Sequence, residues 1–215
     1  MSKYLGKKPK KVNVLNAQEA QELVEAVSHL SPALNVFFVV KMRTGLRIAE
    51  MAALEWSDVD FETRTLNVTK QWDWKRKETR PPKNDSQREV RLSPQAAEML
   101  QGLYESGAGA GLIFPDKDGS HLSDKKIRRR LASVAPKKIT PHDLRHTYAT
   151  LRIAKGDNIV DVSNQLGHKN IKVTLDTYTH WVPSAEYVQQ VDELDTLHLT
   201  APYTHLEEKE DAQLH

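Results

Sequence analysis

The sequence predicts an α+β fold: a mainly helical single domain with a small three-stranded antiparallel sheet. Three observations carry this. Capped segments with helical spacing of apolar residues recur along the chain. One patch, within residues 58–92, alternates apolar and polar residues as strands do. Neither an internal repeat nor a central linker divides the sequence. With 215 residues, 39% of them hydrophobic and 28% charged, the chain is long enough for a real core.

The elements follow from local chemistry. Asn16-Ala-Gln-Glu19 is an Asn-led capping box and opens a helix over 17–30. Ser31-Pro32 supplies a cap and a first-turn proline for the apolar run ALNVFFVVKM, and Gly45 in TGLR breaks it. A short helix is expected from Arg47 to Leu54. DVDFETRTLNVTK alternates around a polar turn and reads as a hairpin; REVRL is the third strand, after a long basic connection. Ser93-Pro94 caps a helix reaching Glu105, and GAGAG is a loop. Ser123 caps the basic helix DKKIRRRLASV. Thr140-Pro141, with Asp143 three residues on, opens a helix that Gly156 ends. Short helices follow through NQLGHKN and NIKVTLDTYTH, and Pro183-Ser184 starts a last one. The domain reading is a linker stub at 1–12, a catalytic domain at 13–183, a C-terminal helix at 184–199 and an acidic mobile tail at 200–215.

Composition narrows the function classes. The chain has no Cys, which excludes disulfides and thiolate metal sites. No apolar run approaches a membrane span and no signal peptide is visible, so a cytoplasmic protein is expected. The net charge of +2 hides an asymmetry: from Glu186 onward there is one basic residue and there are eight acidic ones. The body before that point carries a charge of +9, which points to a polyanion partner. Its basic stretches are Lys75, Arg76, Lys77 and Arg80 in one segment, and Lys125, Lys126, Arg128 and Arg129 in another. These are the candidate nucleic-acid-binding residues.

TPHDLRH concentrates chemistry in one helical turn. His142, Arg145 and His146 share a face at i, i+3 and i+4, while Leu144, Tyr148 and Leu151 form an apolar stripe. A zinc-protease helix, an anion site and a pair of structural histidines with a surface arginine are the three readings. Arg145 weighs against zinc, because a guanidinium keeps its proton and would repel the ion, and no Glu stands between the histidines. A phosphate, by contrast, suits its planar fork. Other phosphate-directed candidates are scattered: Arg47 after a glycine break, Lys83 in RPPKNDSQREV, His168 after LGH and Tyr178 in TLDTYTH. Each has an ordinary structural reading on its own, as surface charge, loop lysine, helix cap or core-edge tyrosine.

Together and in order, TGLRIAE, PPKNDSQREVRL, HDLRH, LGHKN and TLDTYTH resemble the tyrosine recombinases, the phage-integrase-like family. The resemblance runs from Ala17 to Tyr187. It places the family's Arg–Lys–His–Arg–His–Tyr set on Arg47, Lys83, His142, Arg145, His168 and Tyr178. Met51 and Arg91 depart from the common pattern outside that set, and Lys75 and Lys77 are neighbours that compete with Lys83. The family carries a helical core-binding domain ahead of this one, so the resemblance implies a catalytic domain by itself, a fragment or a naturally short relative. It implies the tyrosine recombinase catalytic fold and a bacterial or phage-encoded protein. It also implies site-specific cleavage and rejoining of double-stranded DNA through a 3′-phosphotyrosyl link, with no metal or other cofactor, by a homotetramer assembled on DNA. The expected roles are Tyr178 as nucleophile, Arg47, Arg145 and His168 as phosphate ligands, His142 as base and Lys83 as general acid. His146 and His180 are expected to be structural. A type IB topoisomerase-like relaxing enzyme and a non-cleaving DNA-binding regulator are the alternatives.

Overall fold

The computed structural model describes residues 12–83 and 86–178. The chain divides into two units, Met1–Val182 and Pro183–His215, and every described residue lies in the first. The expected C-terminal helix, the acidic tail and His180 lie outside the described residues.

Helix α1 (Ala17–Ser28) starts on the Asn16 box, in which Asn16 Oδ1 accepts from Glu19 N at 2.8 Å and Glu19 Oε2 accepts from Asn16 N at 2.8 Å. It ends two residues before the expected limit. Helix α2 (Pro32–Thr44) is buried over nearly its whole length from Val36 to Lys41. It stops at Gly45, which takes the left-handed conformation (φ +67°) and donates back to Lys41 O at 3.0 Å. The chain turns at once into α3 (Ile48–Ala52), with Arg47 as its N-cap.

Strands β1 (Val59–Asp60), β2 (Thr65–Val68) and β5 (Arg88–Arg91) form the expected three-stranded antiparallel sheet in the order β1-β2-β5. Leu66 pairs with Val90, and both point into the core with no exposure. The long basic connection between β2 and β5 has strands of its own. It folds into a separate hairpin, β3 (Gln71–Asp73) with β4 (Glu78–Arg80). Asp73 organises it: Oδ1 accepts from Lys75 N and Arg76 N, and Oδ2 from Arg80 Nη1 at 2.8 Å.

The remaining helices are α4 (Pro94–Leu103, continued by a π turn to Ala108), α5 (Asp124–Val134), α6 (Pro141–Ala154), α7 (Ile159–Leu166) and α8 (Ile171–Tyr178). Ser93, Ser123 and Thr140 cap α4, α5 and α6 through their side chains, and Asp143 completes the box on α6. Among the described residues no helix is long and apolar enough to cross a membrane.

Two apolar clusters meet on α6. Leu144 belongs to the main core, whose centre includes Phe37 packed edge-on against Phe38 and Phe114 at 5.3 and 5.2 Å. Tyr148, Ala149 and Ile153 form a smaller cluster with Val162, Leu166 and Tyr178. Each fully buried large side chain contributes roughly 1.5–3 kcal/mol, so this small cluster is enough to dock α7 and α8 on α6. The left-handed turn at Gly45 lies against it. A Cβ there would fall 2.4 Å from Tyr148 Cδ1 and 2.8 Å from Leu166 Cδ2. Gly45→Ala is expected to lower the urea midpoint by an amount equivalent to at least about 1–3 kcal/mol, the cost of left-handed backbone without glycine. An unchanged midpoint would show that the turn is not constrained.

Candidate active site

Helix α6 presents the HDLRH turn between the Gly45 turn on one side and the α7–α8 turn on the other. Arg145 is its buried member, 2% exposed. Its Nη1 donates to Gly45 O at 2.8 Å and its Nη2 to Leu166 O at 2.6 Å. Two backbone carbonyls, from segments on either side of α6, thus fix the plane of the guanidinium. Burial, then the like charge of Arg47, lower its ionisation to about 9, which leaves it charged at neutral pH.

Arg47 is held by Glu50. The Glu50 carboxylate accepts from Arg47 N at 2.8 Å and from Arg47 Nη1 at 2.7 Å. The same carboxylate takes Arg88 Nη2 at 3.0 Å and Nη1 at 3.2 Å. Arg88 Nε reaches across to Gln165 O at 2.8 Å, so β5, α3 and the end of α7 are tied at one point. Burial alone would raise the Glu50 carboxyl; Arg88 and Arg47 reverse that and hold it at about 2. Gly167 fits closely over this pair, since a Cβ on it would stand 2.7 Å from Arg88 Nη1.

Below the site, Lys41 is buried (1% exposed) with its Nζ on Leu46 O at 2.6 Å. Burial, then the charge of Arg145, lower its ammonium to about 7, against the pull of Glu50. His168 follows the left-handed Gly167 and sets its Nδ1 2.7 Å from Thr174 Oγ1 on α8. Burial and the charges of Arg145, Arg47 and Arg88 bring it down to about 4, so it is neutral at physiological pH. His142 stands on the solvent side of the α6 turn, and partial desolvation with Arg145 holds it below the ordinary imidazole value.

Tyr178 ends α8 and is 1% exposed. Its hydroxyl lies 2.6 Å from His146 Nδ1. Burial pushes the phenol up to about 12, with Arg145 pulling the other way. His142 packs edge-on to His146, ring centroids 4.6 Å apart. Among the described residues no group of three or more His, Cys, Asp or Glu is placed to hold a metal.

Of the six residues taken from the motifs, the fold gathers Arg47, His142, Arg145, His168 and Tyr178. Lys83 is exposed instead, on the rim of a groove of about 650 Å³ that it shares with Ala49, Trp72 and Arg80. Sequence reasoning did not pick out Lys41, Glu50 or Arg88, and it read His146 as structural where the fold sets it against the tyrosine hydroxyl. The i+4 spacing of His146 from His142 was the signal available.

The basic segments also come together. Trp72 stacks on His121 at 3.4 Å, and Trp74 Nε1 donates to Leu122 O at 3.1 Å, which seats the β3–β4 hairpin beside the start of α5. Lys75, Arg76, Lys77, Lys125 and Arg129 are exposed on this surface. Arg80 is paired with Asp73 at 2.8 Å and Arg128 with Asp124 at 2.9 Å, while Lys126 is paired with Asp116.

A cradle of fixed cations and imidazoles around a buried tyrosine hydroxyl defines a site suited to nucleophilic attack on a phosphodiester. The chain belongs to the phage integrase family, whose model matches residues 13–184. It is 26% identical over 205 residues to the ICEBs1 integrase of Bacillus subtilis (strain 168), covering 87% of this chain and 55% of that protein. It is 30% identical over 184 residues to tyrosine recombinase XerC of Xanthomonas axonopodis pv. citri, covering 81% and 56%. The chain therefore spans about half the length of the curated relatives it matches. In fold it is similar to the Tn1549 transposon integrase in complex with circular intermediate DNA, with TM-score 0.70, 21% identity and coverage of 87% and 68%. It is similar also to the catalytic domain of bacteriophage HP1 integrase, with TM-score 0.60, 21% identity and coverage of 87% and 97%.

The Lys41 ammonium makes a testable difference to stability. Its folded value of about 7 lies below the 10.5 of an unfolded lysine, so between these values the unfolded chain binds more protons. Stability should therefore rise with pH above 7, by on the order of 2 kcal/mol at pH 9. The raised Tyr178 phenol acts only above pH 10, outside this window. Lys41→Met should remove the rise. Urea midpoints of both proteins at pH 7 and 9 measure it, and parallel curves would show that Lys41 does not titrate there.

Proposed function

We propose that the chain is the catalytic part of a site-specific DNA recombinase that cleaves and rejoins strands through a 3′-phosphotyrosyl link. The observation that carries this is the convergence of Arg47, Arg145, His168 and His142 on the surroundings of the Tyr178 hydroxyl. Among the described residues, Glu50 is the acid that pairs with the two guanidiniums Arg47 and Arg88, so the described part of the pocket holds more positive than negative charge. A phosphodiester supplies the missing anion.

Attack by Tyr178 Oη builds negative charge on the nonbridging oxygens. Arg145, held by two carbonyls, and Arg47, held by Glu50, are already oriented and need no reorganisation to meet it. His168 adds a neutral donor. Removing one preorganised donor of this kind costs roughly 3–4 kcal/mol of barrier. An imidazole on α6 takes the phenolic proton. Lys83 protonates the departing 5′-oxygen as the β3–β4 groove closes on DNA. The bond energy stays in the phosphotyrosyl link, and a second 5′-hydroxyl reverses it. Exchange between two duplexes needs four such sites, so the working form is a homotetramer on DNA.

Tyr178→Phe should abolish the covalent adduct, with DNA binding within a few fold. A pool of nicked duplexes randomised around the nick avoids the need to know the target, and a denaturing gel reads the adduct. An adduct with the Phe variant would remove Tyr178 from this role.

Binding should track the exposed cations. Lys125→Gln and Arg129→Gln should weaken binding to all sequences alike and each flatten the salt slope by about one unit. Arg128→Gln should change the slope less, because Asp124 already neutralises it. Equal slopes for all variants would place α5 away from the DNA.

A further inference from the structure

We propose that His146 is the catalytic base of this reaction, taking the Tyr178 proton as the phenolic oxygen attacks phosphorus. The inference rests on the recombinase reading and names the group that this reading leaves open. His146 Nδ1 stands 2.6 Å from Tyr178 Oη, within the reach a general base requires. The contact needs no rearrangement of backbone, since His146 is on α6 and Tyr178 is fixed to α6 through the small apolar cluster.

Among the described residues, the other candidate groups have partners of their own. Arg145 is spread over Gly45 O and Leu166 O, and a guanidinium does not give up its proton. Lys41 Nζ is on Leu46 O. His168 Nδ1 is on Thr174 Oγ1. His142 meets His146 edge-on and faces solvent, where a DNA phosphate would pass.

The step balances without a further reactant. The Oη–P bond forms, the P–O5′ bond breaks, the phenolic proton moves to Nδ1, and the 5′-oxygen takes a proton from Lys83. In rejoining, an incoming 5′-hydroxyl gives its proton to the neutral Lys83 amine and attacks phosphorus, the P–O5′ bond forms, the P–Oη bond breaks and His146 returns its proton to Oη. Arg145 acts on the Tyr178 phenol, His142 packs on His146, and His168 feels His146 together with Arg145, Arg47 and Arg88; the Glu50 carboxylate, paired with Arg47 and Arg88, offsets part of that charge, as Lys41 does by losing its proton near pH 7. The guanidiniums among these groups oppose an imidazolium before DNA binds. A bound phosphodiester offsets that repulsion, so proton transfer is coupled to DNA occupancy.

His146→Gln should form adduct with the randomised nicked pool about 100-fold more slowly than wild type, the ordinary size of a general-base contribution. Incorporating difluorotyrosine at Tyr178, which is a more acidic phenol, should recover at least about tenfold of that loss in the Gln variant. A 5′-bridging phosphorothiolate, whose thiolate leaves without a proton, should rescue Lys83→Ala but not His146→Gln. Adduct formation by His146→Gln within about threefold of wild type overturns the proposal. So does a loss that the acidic phenol leaves unrepaired. A readout independent of turnover is the ¹⁵N resonance of His146 Nδ1, which should shift in Tyr178→Phe; an unchanged resonance also overturns it. Absence of any adduct with wild type is a different failure, and removes the recombinase reading together with its base.

Discussion

The buried carboxylate of Glu50 is the constraint on which the site depends. It holds the α3 N-terminus, the Arg47 guanidinium and, through Arg88, the β5 strand and the end of α7. Removing one partner from a buried pair of this kind costs about 3–5 kcal/mol, because the others are left as uncompensated charge. Here the cost would be borne by the turn that presents Arg47 and by the Gly167–His168 turn that Arg88 packs under. A single acid therefore positions groups, far apart in sequence, that are proposed to bind phosphate.

The charge around Glu50 does not cancel. Lys41, Arg47, Arg88 and Arg145 surround it, and three of these four are almost fully desolvated. Such an arrangement is costly in the empty protein and favourable only with an anion present. The protein limits the cost by giving Arg145 and Lys41 backbone carbonyls as acceptors and by keeping His168 neutral. Those choices also serve the chemistry. Donors held by backbone do not turn away when negative charge develops, which is the source of electrostatic preorganisation.

The helices were legible because their signals are local. Asn16, Ser93, Ser123 and Thr140 lie within three residues of the amides they cap, and Gly45 and Gly167 mark left-handed stops. The β3–β4 hairpin was not legible. Its strands are three residues long and largely polar, and its turn puts Lys77 rather than glycine at φ +55°. Asp73 stabilises that turn by side-chain bonds that no hydrophobic pattern announces. The site divides in the same way. Arg47, His142, Arg145, His168 and Tyr178 sit in recognisable motifs. Arg88 acts through Gln165, 77 residues away, and His146 meets Tyr178 across 32, so their roles exist only once α6, α7 and α8 have packed.

That packing joins stability to chemistry. Tyr178 is both a member of the small apolar cluster and the group whose hydroxyl meets His146. Its ring burial comes from Ala149, Ile153, Val162 and Leu166, and Leu166 also supplies a carbonyl to Arg145. Loosening this cluster would therefore displace the hydroxyl and the guanidinium together, without touching any residue of the reaction. Two requirements pull against each other there. Burial keeps the phenol protonated and inert in the absence of DNA, and the same burial brings it within a hydrogen bond of an imidazole. The balance between them is set by how much positive charge remains unmatched around the tyrosine, which is what a phosphodiester would change in the proposed reaction.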